Sequence, residues 1–150
     1  MAAKLDNTQL MAATRRATAI LDGEGMPRSD FIRFVGAELG YTRTPKPVAK
    51  AIENGLRRAA QRGIVYVDQD GVYADCRAIR DYPRPLLKKV LLQAIGREWR
   101  TRAEAVTLGA RHLGFSRTGN RIRAAFRSVI SGLIRQGELE VDGKWIRRAQ

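Results

Sequence analysis

The sequence predicts a mainly α fold with small β-hairpins (α+β), built as two tandem copies of one unit, and three observations lead there. Residues Ala37 to Asp68 align without a gap with Arg111 to Asp142 at a constant offset of 74, and eight of the 32 pairs are identical. Glycines recur where helices should stop, at Gly40 and Gly63 in the first copy and at Gly114 and Gly137 in the second. Each copy therefore reads helix, Gly-containing turn, helix, Gly stop, hairpin, the order of a winged helix-turn-helix unit.

Taken in order, Asn7 is a suitable N-cap for a helix from Thr8 to Asp22, with Leu10, Ala13, Ala17, Ile20 and Leu21 on one face and Gly23 as its stop. Ser29 caps a second helix with Phe31, Ile32, Val35 and Leu39 inward. Thr44 caps a third, Pro45 to Arg62. With that cap Pro45 falls at the first helical position and Pro47 at the third, where backbone N–H groups have no intrahelical acceptor to lose. Ile64 to Asp68 and Val72 to Ala74, joined by a turn at Gln69-Asp70-Gly71, read as a hairpin that would be the wing.

Prolines 83 and 85 mark a boundary, so the expected division is a first unit 1–75, a linker 76–85 and a second unit 86–150. Leu86 to Ile95 opens the second unit with Leu87, Val90, Leu91 and Ala94 inward and a stop at Gly96. Thr101 and Glu104 match a capping box, and Val106, Ala110 and Leu113 stand where Ile32, Gly36 and Leu39 stand in the first copy. Thr118 caps the helix Gly119 to Gln136. Glu138 to Asp142 and Lys144 to Arg147 form a second wing around a tight Asp-Gly turn, two residues shorter than the first. In that alignment Trp145 matches Tyr73; both are expected to fold back on the core, with base stacking as the competing reading, and Trp99 is also expected to pack.

Composition narrows the partners. The net charge is +13, and residues 76 to 150 carry 17 Lys/Arg against six Asp/Glu while residues 1 to 75 carry 11 against nine. Arginine outnumbers lysine 22 to six, which favours planar, bidentate recognition of phosphate or guanine. One cysteine, Cys76, and one histidine, His112, cannot make a disulfide or assemble a metal site, and no carboxylate pair or Gly-rich phosphate loop stands in a catalytic arrangement. No catalytic role, cofactor or metal is expected. No stretch approaches the length of a membrane span, and the N-terminal residues lack the apolar core of a signal peptide. The expected location is cytoplasmic, or nucleoid-associated if the source is bacterial, with no membrane partner.

On the helix from Gly119, the apolar stripe Ile122, Phe126, Val129, Ile130 and Leu133 must face the core. The opposite face is then Asn120, Arg121, Ala124, Arg127, Ser128, Ser131 and Arg135, cationic forks alternating with small side chains and containing no acid. Such a face suits close approach to base-pair edges, with arginines reaching guanine or phosphate; a solvated basic surface or a protein-docking face is the competing reading. Arg123 joins the nucleic-acid-binding candidates on this helix. Arg117 and Thr118, in the turn, are candidates for phosphate beside the helix N-terminus. Lys144 and Arg147, with Arg148, are candidates on the wing.

The matching face of the first copy is Lys46, Pro47, Lys50, Glu53, Asn54, Arg57 and Gln61. Arg43, Lys46, Lys50 and Arg57 remain candidates, but Glu53 stands where Arg127 stands and repels phosphate. That makes the first copy a weaker binder, one that reads a cytosine amino group through Glu53, or one turned to protein contacts; Glu53 itself reads most simply as an exposed acid in reach of Arg57. The binding chemistry is therefore expected to concentrate in the second copy. Double-stranded DNA is the expected partner. The alternatives are structured RNA and an adaptor role on a larger nucleic-acid machine.

The run Leu113-Gly-Phe-Ser-Arg-Thr-Gly-Asn-Arg-Ile-Arg123, followed by Ile134-Arg-Gln-Gly137, resembles the small C-terminal winged-helix-like domain at the tail of large bacterial superfamily 1 helicase and restriction-type proteins. The resemblance covers about 45 residues of each copy; in the first, Pro45 and Pro47 replace Gly119 and Arg121 of the pattern. It implies winged-helix architecture and a DNA-processing or defence context, with a helicase- or nuclease-type protein as a partner. The motors of those proteins are absent, so no activity carries over.

Overall fold

The computed structural model describes residues 5–21 and 23–150. The chain is mainly helical with small antiparallel sheets, an α+β protein, and divides into two compact units, Met1–Arg77 and Ala78–Gln150.

The first unit contains α1 (Asn7–Ala17), α2 (Arg28–Glu38) and α3 (Lys46–Gln61), then β1 (Val65–Val67) and β2 (Val72–Ala74). The second contains α4 (Arg84–Ile95), β3 (Arg100–Thr101), α5 (Arg102–His112), α6 (Asn120–Arg135), β4 (Leu139–Asp142) and β5 (Trp145–Arg148). In the second unit the sheet order is β3-β5-β4, all antiparallel. The first unit pairs β1 with β2, and a single bridge from Met26 to Val72 occupies the place of β3.

The repeat is more regular in space than in sequence. Helices α2 and α3 become α5 and α6 at an offset of 74 with identical bounds. The turns repeat bond for bond: Tyr41 N–H donates to the Gly36 carbonyl at 2.9 Å and Phe115 N–H to the Ala110 carbonyl at 3.0 Å. Ile64 N–H donates to Ala59 and Glu138 N–H to Leu133, both at 2.9 Å. Gly40 and Gly114, at φ +97° and +80°, are what let the chain reverse between the helices.

The cores are matched in volume rather than in residue. Phe31 on α2 and Phe126 on α6 are both fully buried, so the ring has moved from the earlier helix of the pair to the later one. Ala105 stands in place of Phe31, and Gly109 leaves room for the Phe126 ring, which lies 2.9 Å from where a Cβ on that glycine would be.

Several local expectations are corrected. Asp6, not Asn7, caps α1, its carboxylate accepting from Thr8 N–H at 3.1 Å, while Asn7 Oδ1 accepts from Arg58 Nε at 2.9 Å. The expected end of that helix at Asp22 lies outside the described residues. Within them α1 stops at Ala17 and tightens into a 3-10 turn, Thr18–Ile20. Thr14 and Thr18 hydroxyls donate back to the Leu10 and Arg15 carbonyls and compete with the helical ladder there. The tightened turn leaves Ile20 43% exposed, and Met11, on the regular part of α1, is fully buried beside the face the sequence indicates.

The caps of the other helices of the first unit also move by a residue or two. Pro27 rather than Ser29 precedes α2, and Pro45 rather than Thr44 precedes α3, which puts Pro47 at the second helical position. In the second unit Gly119 rather than Thr118 precedes α6. Extended backbone at Pro45, ψ 154°, lets its carbonyl accept from Ala49 N–H while Thr44 packs on Gly36. The capping box at Thr101 and Glu104 forms as expected, with reciprocal bonds of 3.1 Å.

Residues 76–85 are not an unstructured linker. Cys76 is buried with its N–H on the Gly63 carbonyl at 2.9 Å, and Arg77 donates to the Thr18 and Leu21 carbonyls, so both belong to the first unit. Ile79–Asp81 forms a 3-10 turn, and buried Tyr82 meets Phe115 edge-on at 6.5 Å within the second.

Candidate nucleic-acid interface

Helix α6 buries Phe126, Val129, Ile130 and Leu133, with Ile122 half-buried at its first turn. That packing turns Asn120, Arg121, Ala124, Arg127, Ser128, Ser131 and Arg135 outward, and all seven are exposed. The helix carries four arginines and no acid, and none of the ion pairs among the described residues reaches it. Charge by unit agrees: 16 Lys/Arg against six Asp/Glu is +10 for residues 78–150, and 12 against nine is +3 for residues 1–77.

The individual side chains differ in what they can do. Arg121 and Arg127 stand exposed with no ion pair, as does Arg117 in the turn. Arg123 is held in place, donating to Asn120 Oδ1 and to the Thr118 carbonyl, both at 3.2 Å. Thr118 thus orients an arginine rather than capping the helix. Arg123, Arg127, Thr118 and Thr107 line a cleft of about 160 Å³ between α5 and α6, which presents two guanidinium groups and two hydroxyls.

Ser128 is engaged. Arg84, at the start of α4, donates to its hydroxyl at 3.0 Å and to its carbonyl at 3.1 Å, and crosses Gly132 so closely that a Cβ there would meet the guanidinium at 2.8 Å. Arg84 therefore adds a cation to the middle of the α6 face. Sequence reasoning placed it in a linker; the available signal was Gly132, a small residue one turn from Ser128.

On the hairpin, Lys144 lies over the Trp145 ring at 5.1 Å. Arg147 is paired with Glu140 at 2.7 Å and stacks on Trp99 at 4.3 Å, so it is a weaker phosphate candidate than its sequence position implied. Arg148 is exposed. Trp99 and Trp145 do not fold into the core: they are 39% and 40% exposed.

The hairpin register also corrects the alignment. Val67 pairs with Val72 and Val141 with Ile146, so the offset of 74 persists through the turn and the two hairpins match residue for residue. Tyr73 corresponds to Arg147 and Trp145 to Gly71. The tilted Tyr66–Tyr73 ring pair, 6.1 Å between centroids, occupies the place of the Glu140–Arg147 ion pair.

In the first unit the matching α3 face, Lys46, Pro47, Lys50, Glu53, Asn54, Arg57 and Gln61, is likewise exposed, as is Arg43. Glu53 pairs with Arg28 at 3.7 Å rather than with Arg57. Arg28, Lys50, Glu53, Asn54 and Arg57 line a cleft of about 510 Å³ that reaches Val67 on the hairpin. Glu53, paired with Arg28, neutralises part of that charge.

Among the described residues no His, Cys, Asp or Glu group is arranged to hold a metal ion, and no helix is long and apolar enough to cross a membrane. Compared with protein-family models, curated proteins and solved structures, the chain matches none.

Proposed function

We propose that the chain is a double-stranded-DNA-binding protein of two winged helix-turn-helix units, which contacts the duplex chiefly through α6 and the β4–β5 wing of the second unit. The observation that carries this reading is the outward face of α6: seven exposed residues, no acid, and arginines left without ion-pair partners. An α-helix fits the major groove, where guanidinium forks read guanine O6 and N7, and small neighbours such as Ala124 and Ser131 permit close approach. The order α4-β3-α5-α6-β4-β5, with β5 between its partners, supports the winged-helix reading.

The test is a competition between random duplex DNA, single-stranded DNA and duplex RNA at two salt concentrations. Duplex DNA should win, with affinity falling steeply as salt rises. Preference for duplex RNA would transfer the reading to structured RNA.

One observation favours an adaptor role for the first unit. Phe34 is 45% exposed on α2 and lines, with Met26, Asp30, Arg33 and Ala37, a cleft of about 410 Å³ on the less basic unit. A helicase- or nuclease-type protein is the partner the sequence resemblance favours. If the chain shows no salt-sensitive binding to any nucleic acid at low ionic strength, that reading replaces the first.

A further inference from the structure

Both tryptophans of the chain are Trp99 and Trp145, and with Asp142 they line one cleft of about 290 Å³ on the second unit. Trp145 pairs across the sheet with Thr101 on one side and Asp142 on the other, while Ile146, the next residue, points inward and is fully buried. Trp145 thus belongs to the outer face of the sheet, Trp99 joins it in the cleft from the residue just before β3, and cations accompany both: Lys144 over Trp145 and Arg147 over Trp99.

The fold does not require these rings. At the offset of 74 the first unit has Gly25 in place of Trp99 and Gly71 in place of Trp145, and it still forms the hairpin and the Met26–Val72 bridge. Gly25 leaves room for Tyr73, whose ring would lie 2.4 Å from a Cβ there, so the first unit fills the place of the cleft with its own side chain. A half-exposed indole is costly to leave in water, and two in one cleft mark a binding surface.

We propose that this cleft takes an unpaired nucleobase, stacked on an indole, so that the second unit prefers a duplex carrying a single-stranded extension over a blunt duplex. The proposal rests on the DNA-binding reading above and adds to it. Aromatic rings stack any base, and Lys144 beside Trp145, free of ion pairs, suits its phosphate. Asp142 decides which part of the nucleotide enters: an acceptor-only carboxylate repels phosphate and receives the N–H groups of a base edge. The volume is close to the lower end of small-ligand clefts, about 300 Å³, and so suits one nucleoside.

Because the chain has no other tryptophan, its indole emission reports on this cleft alone. Fluorescein-labelled hairpin DNA is titrated onto the full chain in three forms: blunt, with a single-stranded thymidine tail, and with an abasic tail of equal length. The thymidine tail should quench tryptophan emission and tighten binding about tenfold, the size of one base–aromatic stack, while the abasic tail does neither. Trp99→Ala and Trp145→Ala should each bring the ratio of tailed- to blunt-hairpin affinity down towards one, and that ratio is the quantity read because Trp145 belongs to the wing and carries Lys144; Trp145→Phe should retain it. Equal binding of all three hairpins with unchanged emission overturns the proposal and leaves the indoles to an apolar protein side chain. Tightening by the abasic tail overturns it in favour of charge alone. Absence of binding to every hairpin removes the DNA reading itself, an outcome distinct from loss of the tail effect.

Discussion

Replacing Arg121 and Arg127 together by alanine takes two cations from α6 while leaving its buried stripe untouched. Arg117, Arg121, Arg127, Lys144 and Arg148 are exposed and free of ion pairs. If each neutralises one phosphate, log K falls against log salt with a slope of about −4.5, so a fourfold rise in salt weakens binding about 500-fold. The double substitution lowers the slope to about −2.7 and the corresponding loss to about 40-fold. Where either arginine reads a base, its removal costs a further ~1–3 kcal/mol and relaxes sequence preference at that position. Fluorescence anisotropy on a labelled duplex, repeated from 50 to 200 mM salt, measures both quantities over the range for which about 10³–10⁵ is lost by proteins with more contacts. A slope unchanged by the double substitution, or an equal loss on replacing Lys46 and Lys50, would refute the assignment of the contact to α6.

Further predictions address the asymmetry and the packing. Glu53→Arg installs in the first unit the residue found at Arg127 and should tighten duplex binding several-fold and steepen the salt slope by about one; the Arg28–Glu53 pair it breaks is half-exposed, so thermal stability should change by less than about 1 kcal/mol. Gly109→Ala sets a Cβ 2.9 to 3.1 Å from the Phe126 ring, and should cost about 1–3 kcal/mol in chemical denaturation; partial recovery in the Gly109→Ala/Phe126→Leu double variant would identify that contact as the cause. Thr101→Ala removes the α5 cap at a cost of about 1 kcal/mol. The Thr101 backbone N–H, and then its hydroxyl, hold the Glu104 carboxyl below its ordinary value of 4.5. A carboxyl lowered in the folded state stabilises it above the unfolded value, and that contribution is lost as pH falls through the folded one. Unfolding followed below about pH 4.5 should therefore show an acid-dependent step that Thr101→Ala diminishes; identical pH profiles would contradict it.

Much of the candidate site is legible in the chain because it depends on helical geometry alone. Once Phe126, Val129, Ile130 and Leu133 are assigned inward, Arg121 and Arg127 can only point outward. Gly40, Gly63, Gly114 and Gly137 all take positive φ, as their places at helix ends require. Caps were less legible, since neighbouring Asp6 and Asn7, or Thr44 and Pro45, each offer a plausible start and packing selects between them. Trp99 and Trp145 depart from the expectation that a large apolar side chain is core; for Trp145, neither spacing nor composition says on which side of a sheet a strand residue falls until the register is known, and Trp99 precedes β3 in a segment with no periodicity to read.

By itself, then, the sequence determined the doubling of the unit, the helix faces and the concentration of charge in the second half. These are local or additive properties, set by residue spacing and by counting. Tertiary structure alone decided what depends on residues far apart in the chain. It brought Arg84 onto Ser128 across 44 positions, paired Arg147 with Glu140 and Trp99, and kept the two hairpins in step at an offset of 74. Those contacts arise from strand register and helix packing, and they separate the free arginines of α6 from cations already engaged elsewhere.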